Sequence, residues 1–304
     1  MCEDNGVQHV LARGNDRRIT HISPHKKSYY TVLNIFGKYK MRAKNRADSD
    51  LQIRAAGYNF IMNCSVFRSL QDLFFPRTCF SCGSRITEGI LCPLCLRQIR
   101  FIRPPVCRMC SGALGDGTAV CRRCLRSRPA YHRLICAAHD TEPLSGLIRL
   151  LKYRHYDFIG EFLSRLLVRY CREQAVSFPP ETVAVGVPLH PARRRERGYN
   201  QTALLAKNFS KFIHISFRDD IIVRLRNRPS QTHLSIAQRR KNVQNSFIAS
   251  KRAKGKTILL VDDIYTTGAT VNACSRVLRE AGAGDITVLT VARACPEHTY
   301  GGKD

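Results

Sequence analysis

The residues with the most specific chemical potential in this sequence are two adjacent acids and the small-residue loop after them. Asp262-Asp263 is followed, two residues later, by Thr266-Thr267-Gly268-Ala269-Thr270. Carboxylates repel a phosphate, so the acids suit sugar hydroxyls, or a magnesium ion sharing those hydroxyls. The loop suits the phosphate. Its backbone N–H groups open a helix, and Gly268 allows close approach of the backbone. A second set of chemistry-bearing residues is sulfur: the CxxC pairs Cys79/Cys82, Cys92/Cys95, Cys107/Cys110 and Cys121/Cys124. Two intervening residues let both thiolates of a pair face one metal, and two pairs complete a tetrahedral four-cysteine zinc site. Adjacent and crossed pairings of the knuckles both fit the spacing. Such closed sites leave no position for substrate, so their expected role is to fold the segment.

The elements that must position the acids read as an open α/β sheet. Ile258-Leu259-Leu260-Val261 is a short branched apolar run of the kind buried in a parallel strand, which the acids are expected to close. The helix after the loop carries Val271, Val277 and Leu278 on one side. A strand, an acidic end, a loop and a helix N-terminus make a ligand crevice at the carboxyl edge of such a sheet. Further strands are expected at 134–138, 182–187, 221–225 and 285–294, with helices at 144–153, 158–170 and 201–212. Pro188-Leu189-His190 follows the second of these strands. The arginine-rich stretch after it, Arg193, Arg194, Arg195 and Arg197, reads either as a phosphate-binding loop or as a solvated basic face. Lys152 to His155 is a basic turn. The polar, basic segment from 226 to 247 has the length and composition of a lid.

The chain has 304 residues, a formal net charge of +27 and 14 cysteines. Such a charge favours polyanionic or phosphorylated partners without fixing a fold. No apolar run approaches the roughly 20 residues needed to span a bilayer, and the N-terminal stretch lacks the pattern of a secretory signal. A cytoplasmic location is expected, where thiols serve as metal ligands before disulfides. Residues 1–61 carry no chemical motif. They read as a disordered basic tail, a small extension, or sequence upstream of a start at Met62. The last is favoured because Val66, Leu70, Leu73 and Phe74 then share one face of a helix that Pro76 ends. The expected organisation is an extension over 1–61, a helix with a double zinc ribbon over 62–128, and an α/β domain over 129–304. Arg97, Arg100, Arg103, Arg108, Arg122, Arg123 and Arg126 make the ribbon a candidate surface for nucleic acid or a partner, or simply a solvated face.

The run TILLVDDIYTTGAT resembles the signature of type I phosphoribosyltransferases, which bind phosphoribosyl pyrophosphate (PRPP). From Phe67 to Ala294 the chain resembles the ComF (ComFC) family of competence-associated, phosphoribosyltransferase-like proteins. The motifs occur in that family's order: LFFPRTCFSC, the later knuckles, LIRLLKYR, VPLHPARRRERGYNQTALLA, LSIAQRRKNVQNSF and LLVDDIYTTGAT. The resemblance implies a type I phosphoribosyltransferase fold, an open and mostly parallel sheet flanked by helices, preceded by a small zinc-ribbon domain. It implies that Asp262 and Asp263 bind the ribose hydroxyls of PRPP and that Thr266, Thr267, Gly268, Ala269 and Thr270 cradle its 5′-phosphate. Pro188, Leu189 and His190 then belong to the pyrophosphate loop, and Arg239 to the flexible loop. The chain departs from the family at Arg149, where histidine is common, and at His233, where glycine is common.

Two readings of function follow. In the first, the protein is a Mg²⁺-dependent phosphoribosyltransferase linked to DNA uptake and natural transformation, with structural Zn²⁺, an unidentified acceptor and no evident general base. In the second, it is a non-catalytic PRPP sensor that binds single-stranded DNA. The expected partners are PRPP, single-stranded DNA, competence or recombination proteins and a second copy of the chain.

Overall fold

A computed structural model describes residues 41–42, 50–55, 58–63, 77–115, 117–153, 156–225 and 246–294. Packing divides the chain into two units, Met1–Arg77 and Thr78–Asp304. In the first unit β1 (Met41–Arg42), β2 (Asp50–Ala55) and β3 (Tyr58–Asn63) form an antiparallel sheet in that order, with Ile53 opposite both Met41 and Phe60. The apolar helical segment expected after Met62 lies outside the described residues.

The second unit begins with the cysteine knuckles. Short helices α1 (Pro93–Arg97) and α2 (Arg122–Arg126) start immediately after Cys92 and Cys121. There follow β4 (Arg133–His139), α3 (Leu144–Leu150), α4 (Asp157–Glu173), β5 (Val183–Gly186), α5 (Pro191–Arg197), α6 (Gln201–Ile213) and β6 (Ser216–Phe217). The chain continues through β7 (Ile222–Arg224), β8 (Phe247–Ala249), β9 (Ile258–Tyr265), α7 (Ala269–Glu280) and β10 (Ile286–Arg293). Five strands form one parallel sheet in the order β4-β10-β9-β5-β6, and β7 and β8 pair antiparallel beside it.

The continuous apolar runs are explained by burial on both faces of the sheet. Along β9, Leu259 and Val261 enter one core with α3, α4 and α6, while Ile258 and Leu260 enter the other with α7. The strands of the sheet alternate in this way, β10 sending Leu289 and Val291 to the first core and Ile286 and Val288 to the second. The cysteine knuckles share these cores. Cys79, Cys92 and Cys95 pack in the first, and Cys107, Cys110 and Cys124 in the second. The segment between the knuckle pairs lies antiparallel along β4, with Ile102 N donating to Ala137 O (2.9 Å) and His139 N to Arg100 O (2.8 Å). That pairing covers a sheet edge that would otherwise expose its backbone groups.

Most boundaries shift by one to three residues from expectation, the helix expected over 144–153 ending at Leu150, and two differences bear on the site. The acids do not close β9, because β10 keeps pairing past them, Ala292 with Ile264 and Arg293 with Tyr265. The arginine stretch after β5 is helical rather than loop, because His190 caps it by accepting from Ala192 N (3.2 Å) and Pro191 takes the first turn.

At the end of β5 the start of α6 lies directly on the strand. A Cβ added at Gly186 would sit 2.5 Å from Ala203 N. Gly186→Ala is therefore expected to force α6 off β5 and to lower stability by about 1–3 kcal/mol, the usual cost of overpacking. Equilibrium urea unfolding checks this; an unchanged midpoint would show that helix and strand yield without cost.

Candidate functional site

The carboxyl ends of the parallel strands gather the site residues. Asp262 and Asp263 lie in the last turn of pleat in β9, both half-buried. Asp263 N donates to Asp262 Oδ1 (2.9 Å) and Ile264 N to Asp263 Oδ1 (2.8 Å), so local backbone fixes both carboxylates. Burial, with the adjacent Asp263 charge, raises the Asp262 carboxyl well above the usual carboxylate range; the Asp263 backbone N–H and Lys152 act against this. A crowded acidic pair held in this way is suited to a bound cation, so the pair fits a magnesium ion and hydroxyl donors.

Thr266 and Thr267 are exposed, and Gly268 turns the chain into α7 with φ of +80°, a conformation that favours glycine. An added Cβ at Gly268 would also meet the Tyr265 hydroxyl at 2.5 Å. Tyr265 is held beneath the loop by a buried contact between its hydroxyl and that of Tyr131 (3.3 Å). Ala269 and Thr270 form the first turn of α7, whose N–H groups have no intrahelical partners. Asn272 in that helix accepts from Ala130 N (2.6 Å) and ties it to the strand-β4 approach.

Across β5, Pro188, Leu189 and His190 form a half-buried loop next in the sheet to β9. The sheet thus brings Asp262, Asp263, the Thr266–Thr270 loop and Pro188–His190 to one edge. Arg239 lies outside the described residues, as do His233, Arg154 and His155.

Local sequence barely marks the residues that tie these parts together. Asn200 caps α6, accepting from Thr202 N (3.2 Å) and donating through Nδ2 to Val187 O (3.2 Å), while Thr202 Oγ1 lies 2.6 Å from Val187 O. Gln201, 62 positions from its partner, donates from Nε2 to Asp263 Oδ2 at 3.2 Å. The only available signal was Asn200 as a helix cap. Asp140, just past β4, is a further acid at the same edge. Burial and the charges of Asp263 and Glu142 raise its carboxyl, opposed by Lys152 and Arg149.

The eight knuckle cysteines form two groups, Cys79 with Cys82, Cys92 and Cys95, and Cys107 with Cys110, Cys121 and Cys124. In each group the four sulfurs lie within 4.8 Å of one another, so neighbouring knuckles pair and crossed pairing is excluded. Cys92 Sγ accepts from Cys95 N (3.4 Å) and Cys107 Sγ from Cys121 N (3.3 Å). The Ser84 hydroxyl beside Cys82 lowers that thiol to about 6. Four thiols at this spacing, with N–H donors to sulfur, fit a structural zinc ion in each group.

The arginines divide by exposure. Arg193, Arg194 and Arg195 on α5 are exposed, as are the seven ribbon arginines from Arg97 to Arg126, whereas Arg197 is half-buried. Among the described residues no helix is long and apolar enough to cross a membrane.

Comparison with known proteins matches two regions of the chain. A double zinc ribbon domain model matches residues 70–125, and a phosphoribosyl transferase domain model matches residues 203–299. Competence protein F of Haemophilus influenzae is 33% identical over 229 residues, covering 73% of this chain and 99% of that protein. DNA utilization protein YhgH of Escherichia coli O157:H7 is 32% identical over 226 residues, again covering 73% of this chain and 99% of that protein. Competence protein ComFC of Streptococcus pneumoniae is 33% identical over 143 residues, covering 46% of this chain and 61% of that protein.

Proposed function

The chain belongs to the ComF family of competence F and YhgH DNA utilization proteins, with a double zinc ribbon and a phosphoribosyltransferase-like domain, and from that premise we propose that it binds PRPP with Mg²⁺ and transfers the phosphoribosyl group to an acceptor. One observation carries this reading: Asp262 and Asp263 lie in the carboxyl half of the buried strand β9, which runs on to Tyr265, and a left-handed Gly268 then delivers the chain into the N-terminus of α7. The carboxylates would take the ribose hydroxyls and the magnesium ion. The Thr266–Thr270 loop would take the 5′-phosphate, and Pro188–His190 the pyrophosphate. The acceptor nucleophile attacks ribose C1 and loses its proton. The bond from C1 to the pyrophosphate oxygen breaks, and pyrophosphate leaves with the electron pair. The protein's part is to hold the reacting atoms in line and to stabilise the departing charge. Magnesium, when bound, supplies charge neutralisation at the leaving group.

Pyrophosphate release from PRPP and Mg²⁺ tests the transfer, with nucleobases and amines offered as acceptors. Release that depends on one acceptor supports transfer. Binding of PRPP without release under any acceptor would leave the sensor function.

A second activity, binding of single-stranded DNA, is supported by the exposed Arg193, Arg194 and Arg195 and by the net charge of +27. Of the tyrosines available for base stacking, Tyr153 is 52% exposed, whereas Tyr156 packs on Phe80 and the Tyr199 hydroxyl donates to Leu151 O. If the three arginines each hold a phosphate, affinity for an oligonucleotide falls about 20-fold between 50 and 200 mM salt. Replacing all three by alanine flattens the salt slope by about two units. Binding that ignores salt would exclude this surface. Competence or recombination proteins are further proposed partners, and a cytoplasmic location suits them.

A further inference from the structure

Gln201 is the first residue of α6 and is only 4% exposed. Its position is fixed by the backbone around it. Asn200 and Thr202 on either side both reach Val187 O, and the helix start rests on Gly186 too closely to admit a Cβ. From there its side-chain amide meets Asp263 Oδ2 at 3.2 Å. A carboxylate only accepts, so the amide nitrogen must face Asp263 and the oxygen is the atom left over. That oxygen, Gln201 Oε1, is buried without a hydrogen-bond partner. Buried acceptors are rarely left unpaired, and an exception calls for a missing donor.

The missing donor has a definable chemistry. Asp263 Oδ1 is held by Ile264 N and Oδ2 by Gln201 Nε2, so the carboxylate is oriented but still has lone pairs to offer. Gln201 Oε1 shares its carbon with the Nε2 that meets Asp263 Oδ2, so it lies close to that carboxylate. The two groups together offer neighbouring acceptors, beside the one N–H of Gln201 Nε2 that Asp263 does not use. An ionised phosphate brings only acceptors and cannot supply the donor that Gln201 Oε1 lacks. Two hydroxyls on neighbouring carbons can, one donating to Asp263 and the other to Gln201 Oε1.

We infer that Gln201 is a ligand-contacting residue that, with Asp263, reads the vicinal diol of a ribosyl group and so selects ribosyl over deoxyribosyl ligands. The inference rests on the reading of the β9 carboxyl end as a PRPP site. Gln201 also braces Asp263, so a loss of overall affinity in a variant is not diagnostic. Discrimination between sugars is.

The test measures dissociation constants of ribose 5-phosphate, 2-deoxyribose 5-phosphate and 3-deoxyribose 5-phosphate, each with Mg²⁺, on the full chain. The proteins are the unaltered chain, Gln201→Met and Gln201→Asn, compared after zinc content and melting temperature are matched. Gln201→Met keeps the volume without polar atoms. Gln201→Asn keeps an amide that is one methylene too short to bridge, and it serves if the methionine variant fails to fold. The unaltered chain is expected to favour ribose 5-phosphate over both deoxy sugars. In the variants, one of those preferences should shrink by about three- to tenfold, the worth of one neutral hydrogen bond, with affinity for the matching deoxy sugar much less affected. Preferences equal to those of the unaltered chain would overturn the role of Gln201 while leaving the PRPP site intact. Failure of the unaltered chain to bind PRPP or any of the three sugars would overturn both.

Discussion

Asp262→Asn combined with Asp263→Asn is expected to weaken PRPP–Mg²⁺ binding by between about 100-fold and 10,000-fold, since two charge-assisted contacts of about 1.5–3 kcal/mol each are lost. The expectation depends on charge and not on shape. Asparagine keeps the size of the side chain and an oxygen able to accept from Asp263 N and Ile264 N, the two bonds that orient the pair. What disappears is the ability to neutralise a cation and to accept strongly from hydroxyls. Calorimetric titration gives the affinity directly. Binding within threefold of the unaltered chain would remove the acids from the ligand site.

The same variant carries a signed expectation for stability. The Asp262 carboxyl titrates above its ordinary range because it is buried beside Asp263. A raised acid favours the folded state while it is protonated, and that contribution is lost as pH rises through the raised value. Without ligand, the unaltered chain should therefore lose stability as pH climbs above the usual carboxylate range. The double asparagine variant should lose less, and should melt no lower than the unaltered chain at neutral pH. Melting curves from pH 5 to 8 decide this.

The second large effect concerns zinc. Each four-cysteine group is expected to hold one zinc ion, and zinc held by four thiolates contributes on the order of 10 kcal/mol to the fold of its segment. Cys107→Ser combined with Cys110→Ser should remove one equivalent of zinc and lower the melting temperature by about 10 °C or more. The location of the damage should differ between the two groups. Cys107, Cys110 and Cys124 pack in the core that also contains Tyr265 and Val271, the residues that support the Thr266–Thr270 loop. Losing that zinc should weaken PRPP binding as well. Cys79→Ser with Cys82→Ser acts in the opposite core, against α3 and α4, and should spare the loop at temperatures where the protein stays folded. Full zinc content in either variant would contradict the ligand assignment.

The parts of the molecule legible in sequence are those governed by short-range rules. The Ile258–Val261 run shows a strand buried on two faces, and the pattern of Val271 and Leu278 shows the helix behind the loop, because burial dictates residue type locally. The cysteine pairs show metal sites because ligand geometry dictates a spacing, though only the folded chain decides that neighbouring knuckles pair. Where distant segments set the outcome, sequence is silent. The β9 strand continues to Tyr265 because β10 is there to pair with it. The segment through Phe101 becomes a strand-like cover only because β4 offers an open edge. Gln201 reads as an ordinary helix-start residue, and its bond to Asp263 depends on how closely α6 sits on Gly186.

The most direct test of the PRPP site is the crystal structure of the full chain, zinc-loaded, with PRPP and Mg²⁺. The expected density places the ribose hydroxyls and the magnesium ion against Asp262 and Asp263, the 5′-phosphate on the backbone N–H groups of Thr266–Thr270, and the pyrophosphate along Pro188–His190. PRPP bound elsewhere, or a site that stays empty when ligand is saturating in solution, would contradict it.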